Sequence, residues 1–158
     1  MRYTIRKAVP ADLEAMFEIE QSCIADPWSM AAFGSSFAAN GALFLAAEAE
    51  SGEVCGFVTA NAVLDEISIY NIAVKEGFRR LGIASALISE LEKSEPYRID
   101  LEVRESNASA IALYEKCGFE QVGMRKNFYA KPTENAVLMT KYFKSRQSIL
   151  HTALTEFL

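Results

Sequence analysis

The sequence predicts a single mixed α/β domain, in which a central sheet is flanked by helices. Segments with strand-like apolar patterns are interleaved with segments of helical apolar spacing, in the order β-α-α-β-β-β-α-β-α-β-β. The chain has 158 residues, of which 51% are apolar, enough for one well-buried core and short for two domains. No internal repeat, linker or low-complexity segment interrupts this order.

The first half of the chain predicts one strand, two helices and an antiparallel meander of three strands. Tyr3–Lys7 alternates as a strand does, and Pro10 stands where the first turn of a helix tolerates proline. A helical spacing that includes Glu20 continues to about residue 23, and Ser29 can cap the second helix. The meander strands are predicted at 43–49, 54–64 and 67–74, joined by a hairpin turn at 50–53 and a sharp connection at 65–66.

The second half predicts two helices and three further strands. Pro96 ends the first helix. Gly118 follows the second helix, at the position where a left-handed backbone conformation commonly ends a helix. A polar loop that contains Pro132 is expected between the last two strands. The elements are predicted at 82–93 (helix), 99–103 (strand), 107–116 (helix), 119–126 (strand) and 136–143 (strand). The first helix is expected to pack through one side, formed by Leu81, Ala84, Leu87, Ile88 and Leu91.

The turn between the meander and this helix predicts an anion-binding seat. The first amides of a helix have no partners inside it and carry the positive end of its dipole. Gly82 and Ala84 have little or no side chain, so a phosphate can approach the backbone, and Arg79 and Arg80 add positive charge. The turn is neither a Walker loop nor a dinucleotide fingerprint. We expect it to hold a diphosphate; the alternative is an ordinary solvated connection.

A carboxylate in the strand 99–103 is the first candidate for chemistry. Alternation places the apolar residues of this strand on one face and leaves Asp100, Glu102 and Arg104 on the other. A carboxylate in the middle of an apolar strand is costly unless it has a partner or a function. A structural salt bridge and a role as catalytic base are both open for Glu102.

Two aromatic residues allow two readings each. Tyr114 lies near the end of a helix among apolar residues, where it is either a half-buried core residue or an acid or oxyanion partner. Trp28, the only tryptophan, either anchors the core or a loop or lines a substrate groove. Spacing alone leaves both open.

Composition excludes several classes of function. The three cysteines are far apart and show no zinc spacing, so we expect reduced thiols and no metal. The net charge of −5 argues against nucleic-acid binding and suits a basic or amine-bearing partner. No apolar run approaches the ~20 residues of a membrane span, and the N-terminus is charged. We expect a cytoplasmic protein that binds no membrane and is a monomer or a weak homodimer.

The last fifteen residues form a segment of their own. Residues 144–158 place apolar side chains on one side of a predicted helix, beyond a domain expected to span 1–143. We expect this amphipathic extension to dock on its own domain or on a second subunit, and less readily to cover a groove. Its apolar residues are Ile149, Leu150, Ala153, Leu154, Phe157 and Leu158.

The glycine turn also resembles a family signature. Arg79-Arg80-Leu81-Gly82-Ile83-Ala84 is similar to the Gln/Arg-x-x-Gly-x-Gly/Ala motif of the GNAT family of acetyl-CoA-dependent N-acetyltransferases. The element order from Met1 to about Phe143 fits that fold. Within the family, the chain looks most like the bacterial ribosomal-protein alanine N-acetyltransferases. The blocks that carry this likeness are 26–29, 64–66, 71–74, 101–104, 106–108, 110–115, 118–119 and 125–129.

The resemblance implies acetyl-CoA as cosubstrate and assigns residues to it. Amides in the glycine turn would hold the CoA diphosphate, a strand edge would run beside the pantetheine arm, and Asn107 would contact that arm. The turn residues are Arg79, Arg80, Leu81, Gly82, Ile83, Ala84 and Ser85, and the strand residues are Ile72, Ala73 and Val74.

The resemblance also implies catalytic and substrate-binding roles. Glu102 would be the general base, and Tyr114 the acid or hydrogen-bond donor to the departing sulfur. The peptide groove would include Trp28, Asp65, Glu66 and Tyr129.

The implied activity is acetylation of a protein N-terminus by direct attack in a ternary complex, with the N-terminal alanine of a small-subunit ribosomal protein as substrate. Alternatives are acetylation of a small-molecule amine or a lysine, and a non-catalytic acyl-CoA-binding module. The presence of both Glu102 and Tyr114 argues against the last of these.

Overall fold

The computed structural model describes residues 1–143, which form a seven-stranded sheet with helices on both faces. Short 3-10 turns at Pro10–Asp12 and Glu76–Phe78 precede α1 and α3. The order of elements confirms the predicted fold class. The elements are β1 (Tyr3–Lys7), α1 (Leu13–Cys23), α2 (Met30–Ala38), β2 (Ala42–Ala49), β3 (Val54–Val63), β4 (Glu66–Val74), α3 (Ile83–Glu92), β5 (Arg98–Arg104), α4 (Ala108–Lys116), β6 (Glu120–Ala130) and β7 (Thr133–Tyr142).

The sheet has the strand order β1-β2-β3-β4-β5-β7-β6. Strands β1 to β4 are antiparallel neighbours, which confirms the predicted meander, and β5, β7 and β6 form a second antiparallel set. The parallel pair β4–β5 joins the two sets, but it extends only from Glu66↔Arg98 to Ile69↔Leu101. Beyond that point β4 continues to Val74 and β5 to Arg104 without pairing to each other. The sheet therefore opens between β4, its central strand, and the neighbouring β5.

Two apolar clusters cover the two faces of the sheet. On one face α3 and α4 pack against side chains such as Leu101 and Val103 of β5. On the other face, α1 and α2 bury Met16 and Phe33 against Phe57 of β3 and the neighbouring strands. Because side chains alternate along β5, Asp100, Glu102 and Arg104 point to the face that carries α1 and α2.

A β-bulge interrupts the pairing of β3 with β4. Thr59 pairs with Asn71 and Ala60 with Ile69, so Tyr70 is an extra residue in β4. The phase of alternation changes there: Ile69 packs in the cluster under α3 and α4, whereas Ala73 packs in the cluster under α1 and α2. The bulge thus lies at the point where β4 and β5 separate.

The buried side of α3 differs from the prediction. The helix begins at Ile83, so Leu81 precedes it in the turn and is 40% exposed, and Ala84 is only half-buried. Counted from Ile83, the first helical residue, the other buried residues follow four, five and eight positions later, which places them on one side of the helix. The buried residues are Ile83, Leu87, Ile88 and Leu91.

The last hairpin is also tighter than predicted. In place of a long polar loop, β6 and β7 are joined by Lys131 and Pro132, whose peptide bond is cis. The Arg104 guanidinium donates to both carbonyl oxygens of this turn, at 3.0 Å each, and lies 3.2 Å from the Glu134 carboxylate. A distant side chain therefore closes the turn, which local sequence does not reveal.

The predicted helix caps are confirmed. The Ser29 hydroxyl accepts from the Ala32 amide at 3.1 Å, and the Asn107 side chain accepts from the Ala110 amide at 3.2 Å. Gly118 follows α4 with φ of +96°, in the left-handed region.

Across residues 1–143, no helix combines the length and apolar character needed to cross a membrane. The predicted helix at 144–158 lies outside the described residues.

Candidate active site

The turn before α3 presents a run of amides without partners. Gly82 occupies the N-cap with φ of +81°, and the first helical hydrogen bond runs from the Ala86 amide to the Gly82 carbonyl at 2.9 Å. Among the described residues, none accepts a hydrogen bond from the backbone amides of residues 80–85. Converging free amides at the positive end of a helix dipole fit an anion such as a diphosphate.

The two arginines of this turn are placed differently. The Arg79 guanidinium turns back, donating to the Val74 carbonyl at 3.0 Å and lying 3.4 Å from the Cys23 sulfur. Arg80 has a backbone φ of +63° and forms no ion pair within the described part of the chain. Both add positive charge near the free amides, and Arg79 also ties the turn to the end of β4.

The open edge of β4 leads from these amides into the sheet. After Ile69 this edge has no partner in β5, and residues 72–74 lie along it. The other edge of β4 stays paired with β3 through Gly56↔Val74 and Val58↔Ile72. The backbone is therefore held by β3 on one side and has no strand partner on the other, where an extended ligand can pair with it; the Val74 carbonyl already accepts from Arg79.

A groove of about 910 Å³ opens on the α1–α2 face where β4 and β5 part. It brings together three of the residues predicted from the sequence, Trp28, Glu102 and Tyr129. The Trp28 ring lies 5.6 Å from that of Tyr70 and 5.8 Å from that of Phe33, so Trp28 contacts the core and also lines this groove; that the groove takes a substrate stays a prediction. Other lining residues include Asn71, Asp100, Arg104, Arg125 and Phe128.

Glu102 projects into this groove from the middle of β5. Its carboxylate lies 3.4 Å from the Arg125 guanidinium of β6, and the two side chains are 32% and 57% exposed. An ion pair this exposed is weak, so it does not commit the carboxylate to a structural role. A solvent-reachable carboxylate on a rigid strand has the placement that a general base requires.

Tyr114 lies on the opposite face of the sheet from Glu102. It is 6% exposed and packs with Val103 in the cluster under α3 and α4, its ring 5.9 Å from that of Phe119. Burial raises the pKa of Tyr114 well above its usual range, with Tyr129 and Cys117 adding to the effect. Within residues 1–143 no group hydrogen-bonds to its hydroxyl. The hydroxyl therefore stays protonated and keeps a donor free.

Asn107 serves first as a helix cap. Its Oδ1 accepts from the Ala110 amide and the Ser109 hydroxyl, both at 3.2 Å. Its Nδ2 donates to none of the described residues. The cap thus fixes the side chain and leaves one donor for a ligand.

Tyr129 approaches the groove from β6. Its ring stacks on the Arg104 guanidinium, with 4.3 Å between the guanidinium carbon and the ring centre. Burial raises the pKa of Tyr129, and the Glu102 carboxylate raises it further. Arg104, which also holds the Lys131–Pro132 turn, therefore positions Tyr129, a function that its place in the sequence did not suggest.

Asp65 and Glu66 lie apart from the other predicted site residues. Asp65 lies in the turn between β3 and β4, and Glu66 is the first residue of β4, at the end of the strand opposite to residues 72–74; neither lines the groove. Glu66 pairs with Arg98 at 3.1 Å, and Arg98 does line the groove. Glu66 therefore reaches the groove only through Arg98, and Asp65 forms no hydrogen bond or ion pair with Arg98 among the described residues.

Glu20 was counted in the predicted helical spacing of α1 but was assigned no role in the site from the sequence. It is fully buried in α1, where its carboxylate accepts from the Trp28 amide at 3.2 Å and from the Asn71 side chain at 2.6 Å. Burial raises the pKa of Glu20 to about 7, against an opposing effect of those two hydrogen bonds. A signal was present, because Glu20 follows Met16 by four residues on the apolar side of the helix.

This raised pKa predicts a pH dependence of stability. Between pH 4.5, the ordinary pKa of the side chain, and about 7, folded Glu20 keeps a proton that the unfolded chain has lost. Stability due to Glu20 is therefore full below pH 4.5 and falls as pH rises to about 7, by at most about 1.4 kcal/mol per pH unit. Urea unfolding at a series of pH values should show this slope in the difference between wild type and Glu20→Gln. Parallel curves would contradict the raised pKa.

Comparison with known proteins places the chain in a family. Residues 13–119 match the model of the acetyltransferase (GNAT) family. The chain is 40% identical over 145 residues to the [ribosomal protein bS18]-alanine N-acetyltransferase of Escherichia coli strain K12, covering 86% of this chain and 95% of that protein. The Haemophilus influenzae protein of the same name is 40% identical over 139 residues, covering 83% and 92%.

Solved structures agree with the sequence comparison. The crystal structure of the ribosomal-protein-S18-alanine N-acetyltransferase from Escherichia coli superimposes with a TM-score of 0.82 at 36% identity, covering 90% of this chain and 94% of that chain. The family signature read from the glycine turn is thereby confirmed. The chain is an acetyltransferase that belongs to the GNAT family.

Proposed function

We propose that this chain transfers the acetyl group of acetyl-CoA to the N-terminal α-amino group of a protein, with the N-terminal alanine of a small-subunit ribosomal protein as substrate. The relatives at 40% identity are named [ribosomal protein bS18]-alanine N-acetyltransferases, which supports this proposal. The observation that carries the proposal is the parting of β4 and β5: residues of both strands line the groove that holds Glu102, and the unpaired part of β4 leads to the turn with the free amides.

Acetyl-CoA fits the free amides and the open edge of β4. The amides of residues 80–85, with Arg79 and Arg80 beside them, would hold the diphosphate. The backbone of residues 72–74 and the free Nδ2 of Asn107 would hold the pantetheine arm. When bound, the thioester supplies an activated acetyl group. A main-chain amide near Ala73 and Val74 is the natural donor to the oxyanion.

Glu102 would accept the proton of the attacking amine, directly or through one water. An α-amino group has a reference pKa of about 7.7 to 8.0 against about 10.4 for lysine, so its neutral fraction at pH 7 is roughly 300-fold larger. An amine with a larger neutral fraction needs less help from a general base, so a protein N-terminus suits a solvent-reachable carboxylate such as Glu102. This favours an α-amine over a lysine side chain as the acceptor.

Tyr114 would stabilise the departing sulfur by hydrogen bonding. A thiol has a reference pKa of about 8.5 and a tyrosine of about 10, so full proton transfer is uphill even for an ordinary tyrosine. Burial moves the pKa of Tyr114 further up, which makes transfer less favourable still. The hydroxyl donor would then serve without giving up its proton.

Replacing Tyr114 by Phe should lower kcat by about tenfold, the effect of one hydrogen bond to a charged group, with little change in KM. Since burial keeps the hydroxyl protonated, wild-type kcat should show no alkaline fall due to Tyr114 below pH 10. Steady-state kinetics from pH 6 to 10 measure both quantities. Tyr97→Phe is the control, because Tyr97 is not among the residues that line the groove; its ring contacts the lining residue Tyr142 from outside. An equal loss in the control would remove Tyr114 from the reaction.

The proposed function is tested with acetyl-CoA and short peptides that differ only in their first residue, read by mass spectrometry. We expect one acetyl group on the N-terminal fragment of the alanine peptide and none on a peptide whose N-terminus is blocked but which contains lysine. Acetylation of free polyamines or aminoglycosides in preference to the alanine peptide would contradict the proposal. No transfer to any amine, with acetyl-CoA still bound, would favour the non-catalytic alternative.

A further inference from the structure

Glu20 is a buried carboxyl group that forms no ion pair with any residue in 1–143. Its exposed fraction is 0%, and within residues 1–143 its polar partners are one backbone amide and one side-chain amide. Its neighbours in α1 include Met16 and Ile19 of the apolar cluster. A carboxylate in such surroundings costs stability relative to an apolar side chain of similar size. Stability alone therefore gives no reason for its presence.

The two partners of Glu20 belong to different walls of the groove. Oε2 accepts from the amide of Trp28, in the segment between α1 and α2, and Oε1 accepts from Nδ2 of Asn71 in β4. Trp28 and Asn71 both line the groove. One buried carboxylate thus joins the loop wall to the strand wall at distances of 3.2 and 2.6 Å.

The strand partner lies next to the β-bulge. The backbone amide of Asn71 donates to the Thr59 hydroxyl at 3.1 Å, and that hydroxyl donates to the Asn71 carbonyl at 3.4 Å. The preceding residue, Tyr70, is the extra residue of the bulge and contacts Trp28 through its ring. Glu20 therefore holds the side chain of Asn71, and Thr59 holds its backbone. Together they fix the orientation of the neighbouring residue Tyr70.

We propose that Glu20 is a positioning residue, which holds Trp28 and the Tyr70 bulge together as the aromatic wall that receives the substrate N-terminus. The proposal rests on the proposed function, since it assigns that wall to the peptide. Glu20 contacts neither the free amides before α3 nor Glu102, so its loss should affect peptide binding and leave acetyl-CoA binding intact.

The test compares three variants in the full chain. Glu20→Leu removes both hydrogen bonds and keeps an apolar volume. Glu20→Gln keeps them, because its oxygen can accept from the Trp28 amide while its nitrogen donates to Asn71, whose amide can turn over. Met16→Ala is the matched control, a cavity in the same helix that breaks neither hydrogen bond.

We expect Glu20→Leu to raise KM for the alanine peptide about tenfold, with KM for acetyl-CoA within about twofold of wild type. Glu20→Gln should stay within about threefold for both, and Met16→Ala within about twofold, below the melting temperature of each. A rise in peptide KM for Met16→Ala equal to that of Glu20→Leu would overturn the proposal, as would an unchanged KM for Glu20→Leu.

Trp28 provides a second readout that requires no substrate. It is the only tryptophan in the chain, so intrinsic fluorescence reports its surroundings directly. Its emission should shift to longer wavelength in Glu20→Leu and not in Glu20→Gln or Met16→Ala. Unchanged emission in Glu20→Leu would contradict the positioning role. If wild type fails to acetylate the peptide, the proposed function fails, while this readout still decides whether Glu20 holds Trp28.

Should Glu20→Leu fail to fold, Asn71→Ala tests the same link from the other wall. It removes the partner of Oε1 and leaves the buried carboxylate its bond to Trp28. The proposal expects a rise in peptide KM of about tenfold without a change in KM for acetyl-CoA. A rise in both constants, or in neither, would overturn it.

Discussion

Replacing Glu102 by Gln is expected to lower kcat for the alanine peptide by about 100-fold or more, with acetyl-CoA binding unchanged. The amide keeps the shape of the side chain but cannot take a proton, and loss of a general base typically costs this much. Glu102 lies in the groove, and none of residues 80–85, which carry the free amides, lines that groove. The affinity for CoA should therefore not change. Single-turnover kinetics measure the chemical step, and calorimetric titration with CoA measures binding.

Arg125→Gln separates the proposed base from its ion pair. It removes the 3.4 Å contact with Glu102 from the other side and leaves the carboxylate in place. Since exposed ion pairs contribute little, kcat for this variant should stay within about threefold of wild type. A fall of less than tenfold for Glu102→Gln, or an equal fall for Arg125→Gln, would remove Glu102 from the role of base.

Replacing Gly82 by Ala is expected to raise KM for acetyl-CoA at least tenfold and to lower the free energy of unfolding by about 1 kcal/mol. The φ of +81° disfavours any residue with a β-carbon, at roughly 1 to 2 kcal/mol. Crowding adds little, because the nearest atom to an added carbon is the Tyr3 hydroxyl at 3.6 Å. If the turn relaxes to relieve this strain, the free amides move away from the positions that fit the diphosphate. A tenfold loss of affinity corresponds to about 1.4 kcal/mol, which is within the strain of the substitution.

Gly77→Ala is the matched control for Gly82→Ala. Gly77 lies in the same connection between β4 and α3, its φ is not positive, and an added carbon meets no atom within 4 Å. Titration with CoA and thermal melting should give wild-type values for this variant. Equal weakening of CoA binding in both variants would mean that the connection as a whole, and not the amide geometry at Gly82, decides the affinity.

The parts of the fold that follow from short-range chemistry were predictable from the sequence. Ser29, Asn107 and Gly118 act on residues within three or four positions, so their roles as caps and helix terminator could be read locally. The alternation in β5 likewise predicted which face Glu102 would take. The family signature in the glycine turn could also be recognised from the sequence, since its residues are contiguous.

The parts that depend on distant partners were not predictable in the same way. The turn at Lys131 and Pro132 is closed by Arg104, 27 and 28 residues earlier, and Glu20 meets Asn71 across 51 residues. The bulge had a faint signal, because Ile67, Ile69, Ile72 and Val74 are spaced by two, three and two. A strand without a bulge would keep a spacing of two throughout, so the slip of one residue could have been noticed.

The side chains along the unpaired edge of β4 can vary in sequence without altering the backbone groups that would hold the cosubstrate. In the proposed complex the cosubstrate is gripped by peptide groups of residues 72–74, and their side chains serve the two apolar clusters instead. Affinity for the pantetheine arm is then independent of which apolar residues stand there, provided that none is proline. The apolar residues beneath the strand can therefore change during evolution without changing the affinity for the cosubstrate. A change of acceptor then requires substitutions in the groove only.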